Sequence, residues 1–142
     1  MSYGYRLAIA PSDRLREFLR EHVSSFEELE TLLLLAGTSG RAWSDSEVAA
    51  ALNGPVDTVT AALSSLSSVD GLLTVSEQAG GLRYQFSPRS AQLGEIVGEL
   101  AALHAEQRLT LMQLMSSNAL ERVRGAAMRR LADAFRLDRP KK

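Results

Sequence analysis

The stretch from Trp43 to Ser87 constrains this chain more than any other, because within it the apolar period switches from helical to alternating. Ser44 and Glu47 stand three apart, the form of a capping box in which each side chain satisfies a free amide of the other's residue. Val48, Ala49 and Leu52 follow at helical spacing until Asn53 and Gly54 end the run. Pro55 suits the first position of the next helix, where its missing N–H costs nothing. That helix carries Val56, Val59, Ala62, Leu63 and Leu66 on one face and stops at Asp70 and Gly71. Beyond it the period falls to about two. Leu73 and Val75 alternate with Thr74 and Ser76, and after a Gly80–Gly81 turn Leu82, Tyr84 and Phe86 alternate with Arg83 and Gln85. The double glycine joins two strands and no lysine follows it, so it reads as a turn and not as a phosphate loop. Trp43, just before the first of these helices, is expected to plug the core as a short strand beside the hairpin.

Helices flank this centre. Leu15, Phe18, Leu19 and Val23 recur at helical spacing from Ser12, and Ser25 with Glu28 has the form of a second capping box ahead of Leu29, Leu32, Leu33 and Leu35. After Pro88 a long helical stretch runs through a heptad-like seam of Leu93, Val97, Leu100, His104, Gln107, Leu111 and Leu114. Asn118 and Glu121 suggest a further start, for a last helix with Leu120, Val123, Ala127, Leu131, Ala134 and Phe135 inward. The expected organisation is a loose arm over residues 1–11, a compact unit over 12–87, a C-terminal helical pair over 88–138 and a basic tail over 139–142.

At 142 residues and 45% apolar, the chain can bury one substantial core. It has no cysteine, which removes disulfides, thiolate metal sites and cysteine nucleophiles together. No apolar run approaches the length of a membrane span and the start lacks the zones of a signal peptide, so a cytoplasmic location without membrane partners is expected. Its histidines, His22 and His104, lie far apart and outside any metal-binding spacing, and no serine sits in a nucleophile elbow. No cofactor and no catalytic residue is therefore expected. Met112, Met115 and Met128 could line an apolar pocket, but core packing accounts for them more simply.

The order helix, helix, Trp-containing strand, helix, Gly-Pro turn, helix, hairpin resembles the winged helix-turn-helix of small bacterial transcription regulators of the MarR and PadR kind. The residues that carry the likeness are 44–52, 54–66 and 72–86. It implies a mainly α fold with a small β-hairpin as the wing, a recognition helix starting near Val56, and C-terminal helices that pair two subunits. The implied dimer contacts are Leu93, Val97, Leu100, His104, Leu111 and Leu114.

Charge complicates what the likeness implies. Formal net charge is −1, so attraction to a polyanion has to come from local segregation. Residues 42 to 82 hold no lysine or arginine, but do hold Asp45, Glu47, Asp57, Asp70 and Glu77. Thr58, Thr60 and Ser64 are what the recognition helix offers, with Arg83 and Arg89 near the wing. Phosphate contact depends on cations that release counterions. Positive charge gathers instead at Arg122, Arg124, Arg129, Arg130 and Arg136, of which Arg122, Arg129 and Arg136 repeat every seven residues along one stripe. That stripe could be a solvated helix face, a contact to nucleic acid, a surface for an acidic protein or for the acidic face of a second subunit, or a contact to anionic lipid. Two readings of function stay open: a non-enzymatic, transcription-associated regulator that touches DNA, and an interaction module whose acidic helix-turn-helix face docks a basic partner.

Overall fold

A computed structural model describes residues 10–138, with side chains as far as Phe135. The expected arm lies almost wholly outside the described residues, as do the basic tail and the Arg136 side chain. Among the described residues six helices and one hairpin follow in order: α1 (Asp13–His22), α2 (Phe26–Gly37), α3 (Asp45–Leu52), α4 (Val56–Ser67), β1 (Leu73–Gln78), β2 (Gly81–Phe86), α5 (Ala91–Glu106) and α6 (Arg108–Asp138).

The helix starts follow the serines. Ser12, Ser25, Ser44 and Ser90 each accept a hydrogen bond from the amide three residues on, satisfying one of the free donors of a first turn. At Ser44 the box is reciprocal, since the Glu47 carboxylate accepts from the Ser44 amide at 3.0 Å. At Ser25 only half of it forms: the Glu28 carboxylate reaches one residue further back and accepts from the Ser24 amide at 2.7 Å. Asn53 ends α3 in the left-handed region at φ 55°, a conformation its short polar side chain tolerates. Pro55 is the cap of α4 instead of its first helical residue, so the helix starts at Val56, one residue later than the sequence suggests.

One continuous core joins all the helices. Leu15 and Leu19 of α1, Leu29, Leu32 and Leu35 of α2, Val48 of α3, Leu63 and Leu66 of α4, Leu100 of α5 and Leu111 of α6 are buried together with Trp43, Tyr84 and Phe86. Ser12 fastens α1 to α5, its hydroxyl donating to Glu99 at 2.7 Å and its amide to the same carboxylate at 2.9 Å.

The hairpin is antiparallel, pairing Leu73 with Phe86 through to Gln78 with Gly81, so the two turn residues are Ala79 and Gly80 and the turn sits one residue earlier than expected. Its apolar face is buried only at the base. Tyr84 and Phe86 are buried, whereas Val75 and Leu82 toward the tip are nearly half exposed.

The C-terminal half departs most from expectation. The helix breaks at Gln107, and residues 108 to 138 then form one uninterrupted helix. Folding back at Gln107 brings Leu111 and Met115 against Leu100 and Leu103, a burial that outweighs the modest cost of interrupting a run of good helix formers. Asn118 starts no helix; it is buried on the same side of α6 as Leu111 and Met115. The stripe expected to face inward, Leu120, Val123, Leu131 and Phe135, faces outward with half or more of each side chain exposed.

Candidate nucleic-acid interface

Trp43 and Tyr84 form an antiparallel bridge through two backbone hydrogen bonds of 2.8 Å, so a short third strand extends the hairpin beside the Trp43 ring, which is 5% exposed. The indole N–H donates to the Thr38 hydroxyl at 2.9 Å, and that hydroxyl donates to the Leu34 carbonyl at 2.7 Å. The ring is thereby held between the end of α2 and the base of the hairpin, immediately ahead of α3. Helix, turn and helix then lead back into the hairpin, with α4 packed on α2, α3 and β1. The fold is a winged helix-turn-helix.

No family model matches the chain, and neither does any curated protein. Among solved structures it is similar to MepR, a transcription regulator of the Staphylococcus aureus multidrug efflux pump MepA, at 18% identity and a TM-score of 0.47 over 94% of this chain and 97% of that one. It is similar too to an S. aureus MepR variant bound to an oligodeoxyribonucleotide, at 16% identity and a TM-score of 0.49 over 92% and 91%. Reduced HlyU from Vibrio cholerae matches at 17% identity and a TM-score of 0.47 over 74% and 96%. The fold assignment rests on the strand bridge and the order of elements in this chain itself.

The exposed residues of α4 are Val56, Asp57, Thr60, Ala61 and Ser64, with Ser68 just past its end. In a helix-turn-helix this second helix is the one that enters the major groove. Thr60 and Ser64 are among its exposed residues, but the Thr60 hydroxyl already donates to the Asp45 carboxylate at 3.0 Å. Thr58 lies elsewhere: it is half-buried and lines a cleft of about 280 Å³ together with Glu27, Glu30, Thr31 and Asn53. The three candidates on α4 therefore do not form one contact surface.

The arginines around the wing are all engaged. Arg83, projecting from β2, donates to the Glu47 carboxylate at 2.9 Å. Arg41, a residue that sequence reading passed over, lies 3.6 Å above the Trp43 ring with its guanidinium 3.7 Å from the same carboxylate. The backbone bond from Ser44, opposed by partial desolvation and helped by Arg83 and Arg41, holds the Glu47 carboxyl below its ordinary range. Arg89 pairs with Asp70 at 3.5 Å in an open, solvated position. Its backbone amide donates to Gly71 at 2.7 Å; Gly71 has φ 75°, and a Cβ there would lie 3.0 Å from that of Arg89, so only glycine fits.

The basic residues of α6 stand apart from all this, since α6 packs on α5 and α1. Arg122 is half-buried, and Arg124, Arg129 and Arg130 are exposed. Arg122 and Arg129 continue the line of Leu111, Met115 and Asn118 and so lie roughly opposite the outward apolar stripe.

Of the residues expected at a subunit seam, Val97, Leu100 and Leu111 are 1% exposed or less, committed to the chain's own core. Leu93, His104 and Leu114 are half-buried. Met115 is a core residue, Met112 packs against the core and Met128 is exposed, so the methionines line no common pocket. Among the described residues no group of three or more His, Asp or Glu side chains could hold a metal, and no helix is long and apolar enough to cross a membrane.

Proposed function

We propose that this chain is a non-enzymatic, transcription-associated regulator that binds duplex DNA as a homodimer in the cytoplasm. The observation that carries the reading is an exposed α4 face bearing Thr60 and Ser64, joined to the start of α3 by the Thr60–Asp45 bond, with Arg83 of the hairpin held at Glu47 of that same α3. Ser64 can accept from and donate to base edges and phosphates, and Thr60, whose proton goes to Asp45, can accept, while Arg83 and Arg89 supply the positive charge that the helix lacks.

The outward stripe on α6 supports the dimer. Leu120, Val123, Ala127 and Leu131 are spaced three, four and four residues apart along one side, and nothing among the described residues covers them. An isologous contact with the same stripe of a second copy seals both.

Fluorescence anisotropy with a random-sequence duplex, over roughly 20 to 200 mM salt, tests the proposal. Binding that weakens with a log–log slope steeper than about −2 supports it, because such a slope requires released counterions. The second reading, an acidic face that docks a basic protein partner, is favoured by the exposed Glu27, Glu30 and Asp57 around the start of α4. Absence of duplex binding at tens of micromolar protein and low salt selects that reading instead.

A further inference from the structure

Two guanidinium groups that converge on one oxygen of a single carboxylate, at the start of the first helix of a helix-turn-helix, form an arrangement more particular than a surface ion pair. Arg41 comes from the loop after α2, its guanidinium carbon 3.6 Å from the centre of the Trp43 ring. Arg83 comes from the wing, one residue before the Tyr84 that the Trp43 strand pairs with. Glu47 is the third helical residue of α3, and one oxygen of its carboxylate accepts from both the Ser44 amide and Arg83 while standing 3.7 Å from Arg41. All three are fixed by independent anchors: a buried aromatic ring, a strand bridge and a capping box. The two arginine side chains nonetheless remain about half and one-third exposed.

In a helix-turn-helix the first helix crosses the nucleic-acid backbone. The start of α3 is thus where phosphates pass, with the positive end of its dipole and two forked donors alongside. We propose that Arg41 and Arg83 form a clamp for one backbone phosphate, and that Glu47 is its built-in counter-ion, holding both guanidiniums in place while offsetting one of their two charges. The wild-type clamp then presents a net charge of +1 to a phosphate in place of +2, and Asp45, the first residue of α3, adds negative charge at the same helix start while its carboxylate accepts from Thr60. Such a device positions the duplex without strong non-specific grip, which suits a surface otherwise free of cations over residues 42 to 82. The inference rests on the DNA-binding reading and names the phosphate contact within it.

The test is Glu47→Gln. Glutamine at this position still accepts from the Ser44 amide, since a capping box takes either residue, and its neutral oxygen still accepts from Arg83. Glu77→Gln, an exposed wing residue with the same change of charge, sets the baseline, and Arg41→Gln and Arg83→Gln are each combined with Glu47→Gln. Affinity for a random 20-base-pair duplex is read by anisotropy across salt, with thermal melting as the check on folding.

The expected result is about tenfold tighter binding for Glu47→Gln at 0.1 M salt, with a salt slope steeper by about 0.9 per subunit, one added phosphate neutralisation. Glu77→Gln gains about twofold or less, and either arginine change cancels the gain. Binding by Glu47→Gln where the wild type shows none at tens of micromolar overturns both the regulator reading and the clamp, since a counter-ion that abolishes binding does not tune a working contact. Wild-type binding with Glu47→Gln no tighter than Glu77→Gln overturns the clamp and leaves the regulator standing. Failure of every variant to bind, Glu47→Gln included, overturns both.

Discussion

Replacing Leu131 by aspartate puts the outward stripe of α6 to a quantitative test. Leu120, Val123, Leu131 and Phe135 keep 55%, 64%, 50% and 65% of their surface exposed. Fully burying side chains of this kind is worth about 1.5–3 kcal/mol each, so covering the remaining half or more gains about 1–2 kcal/mol per residue. Four such residues on each of two subunits give roughly 8–16 kcal/mol gross, against an association cost of about 4–15 kcal/mol. The surplus is small enough that a single position decides whether the dimer forms at all. A symmetric seam loses Leu131 twice and takes in two carboxylates facing apolar neighbours, for a total of about 4–8 kcal/mol. At 1.4 kcal/mol per tenfold, that weakens the dimer about a thousandfold or more. Sedimentation velocity with fluorescence detection from about 0.1 to 100 micromolar, roughly the thousandfold span such a shift requires, reads the change directly, and circular dichroism verifies that the monomer keeps its helices. A wild-type chain that stays monomeric throughout, or an aspartate variant that dimerises as well as wild type, refutes the reasoning.

Other consequences are simpler to state. Trp43→Ala removes a ring that is 5% exposed together with its bond to Thr38, and is expected to cost about 4–6 kcal/mol in urea unfolding; a loss under about 1 kcal/mol contradicts the role given to that residue. Acid should act partly through Glu47, whose carboxyl the Ser44 amide and the two arginines hold below the ordinary 4.5 of a glutamate. Between the folded and unfolded values the unfolded chain binds more protons, so stability is present above about pH 4.5 and falls as pH drops through the folded value; Glu47→Gln flattens that part of the profile. Tyr84 has the opposite sign: desolvation, with Asp45 nearby, raises its phenol above 10.0, so its contribution is lost as pH rises beyond that value, and Tyr84→Phe should weaken that alkaline decline in a denaturation series.

Local signals account for what the sequence reveals. The Ser44 box, the Asn53–Gly54 stop and the alternation from Leu73 to Phe86 are each written within a few residues, and each stands where it was expected. Trp43 beside Tyr84 was inferable as well, because a lone large ring ahead of a hairpin has few other places to go. The break at Gln107 carries no such signal, since Ala105, Glu106 and Arg108 all favour helix and only the packing of Leu111 and Met115 decides it. Periodicity identified the apolar side of the last helix but not what lies against it: an i, i+3, i+7 spacing is identical whether the cover is the same chain or another. Arg41 was passed over because its significance arises from a ring two residues away and a carboxylate six residues on, brought together only by the turn into α3.

At 31 residues α6 is about 46 Å long, and its first third is keyed into the body of the molecule while its outer part carries the uncovered stripe. With no Pro or kink between Met115 and Leu120, the two parts turn as one rod. Inserting a single residue there would swing the stripe by about 100° around the axis and shift it by about 1.5 Å. The angular phase of this rod therefore sets which way two joined copies would aim their α4 faces, and insertions of three or four residues should be far better tolerated than one or two.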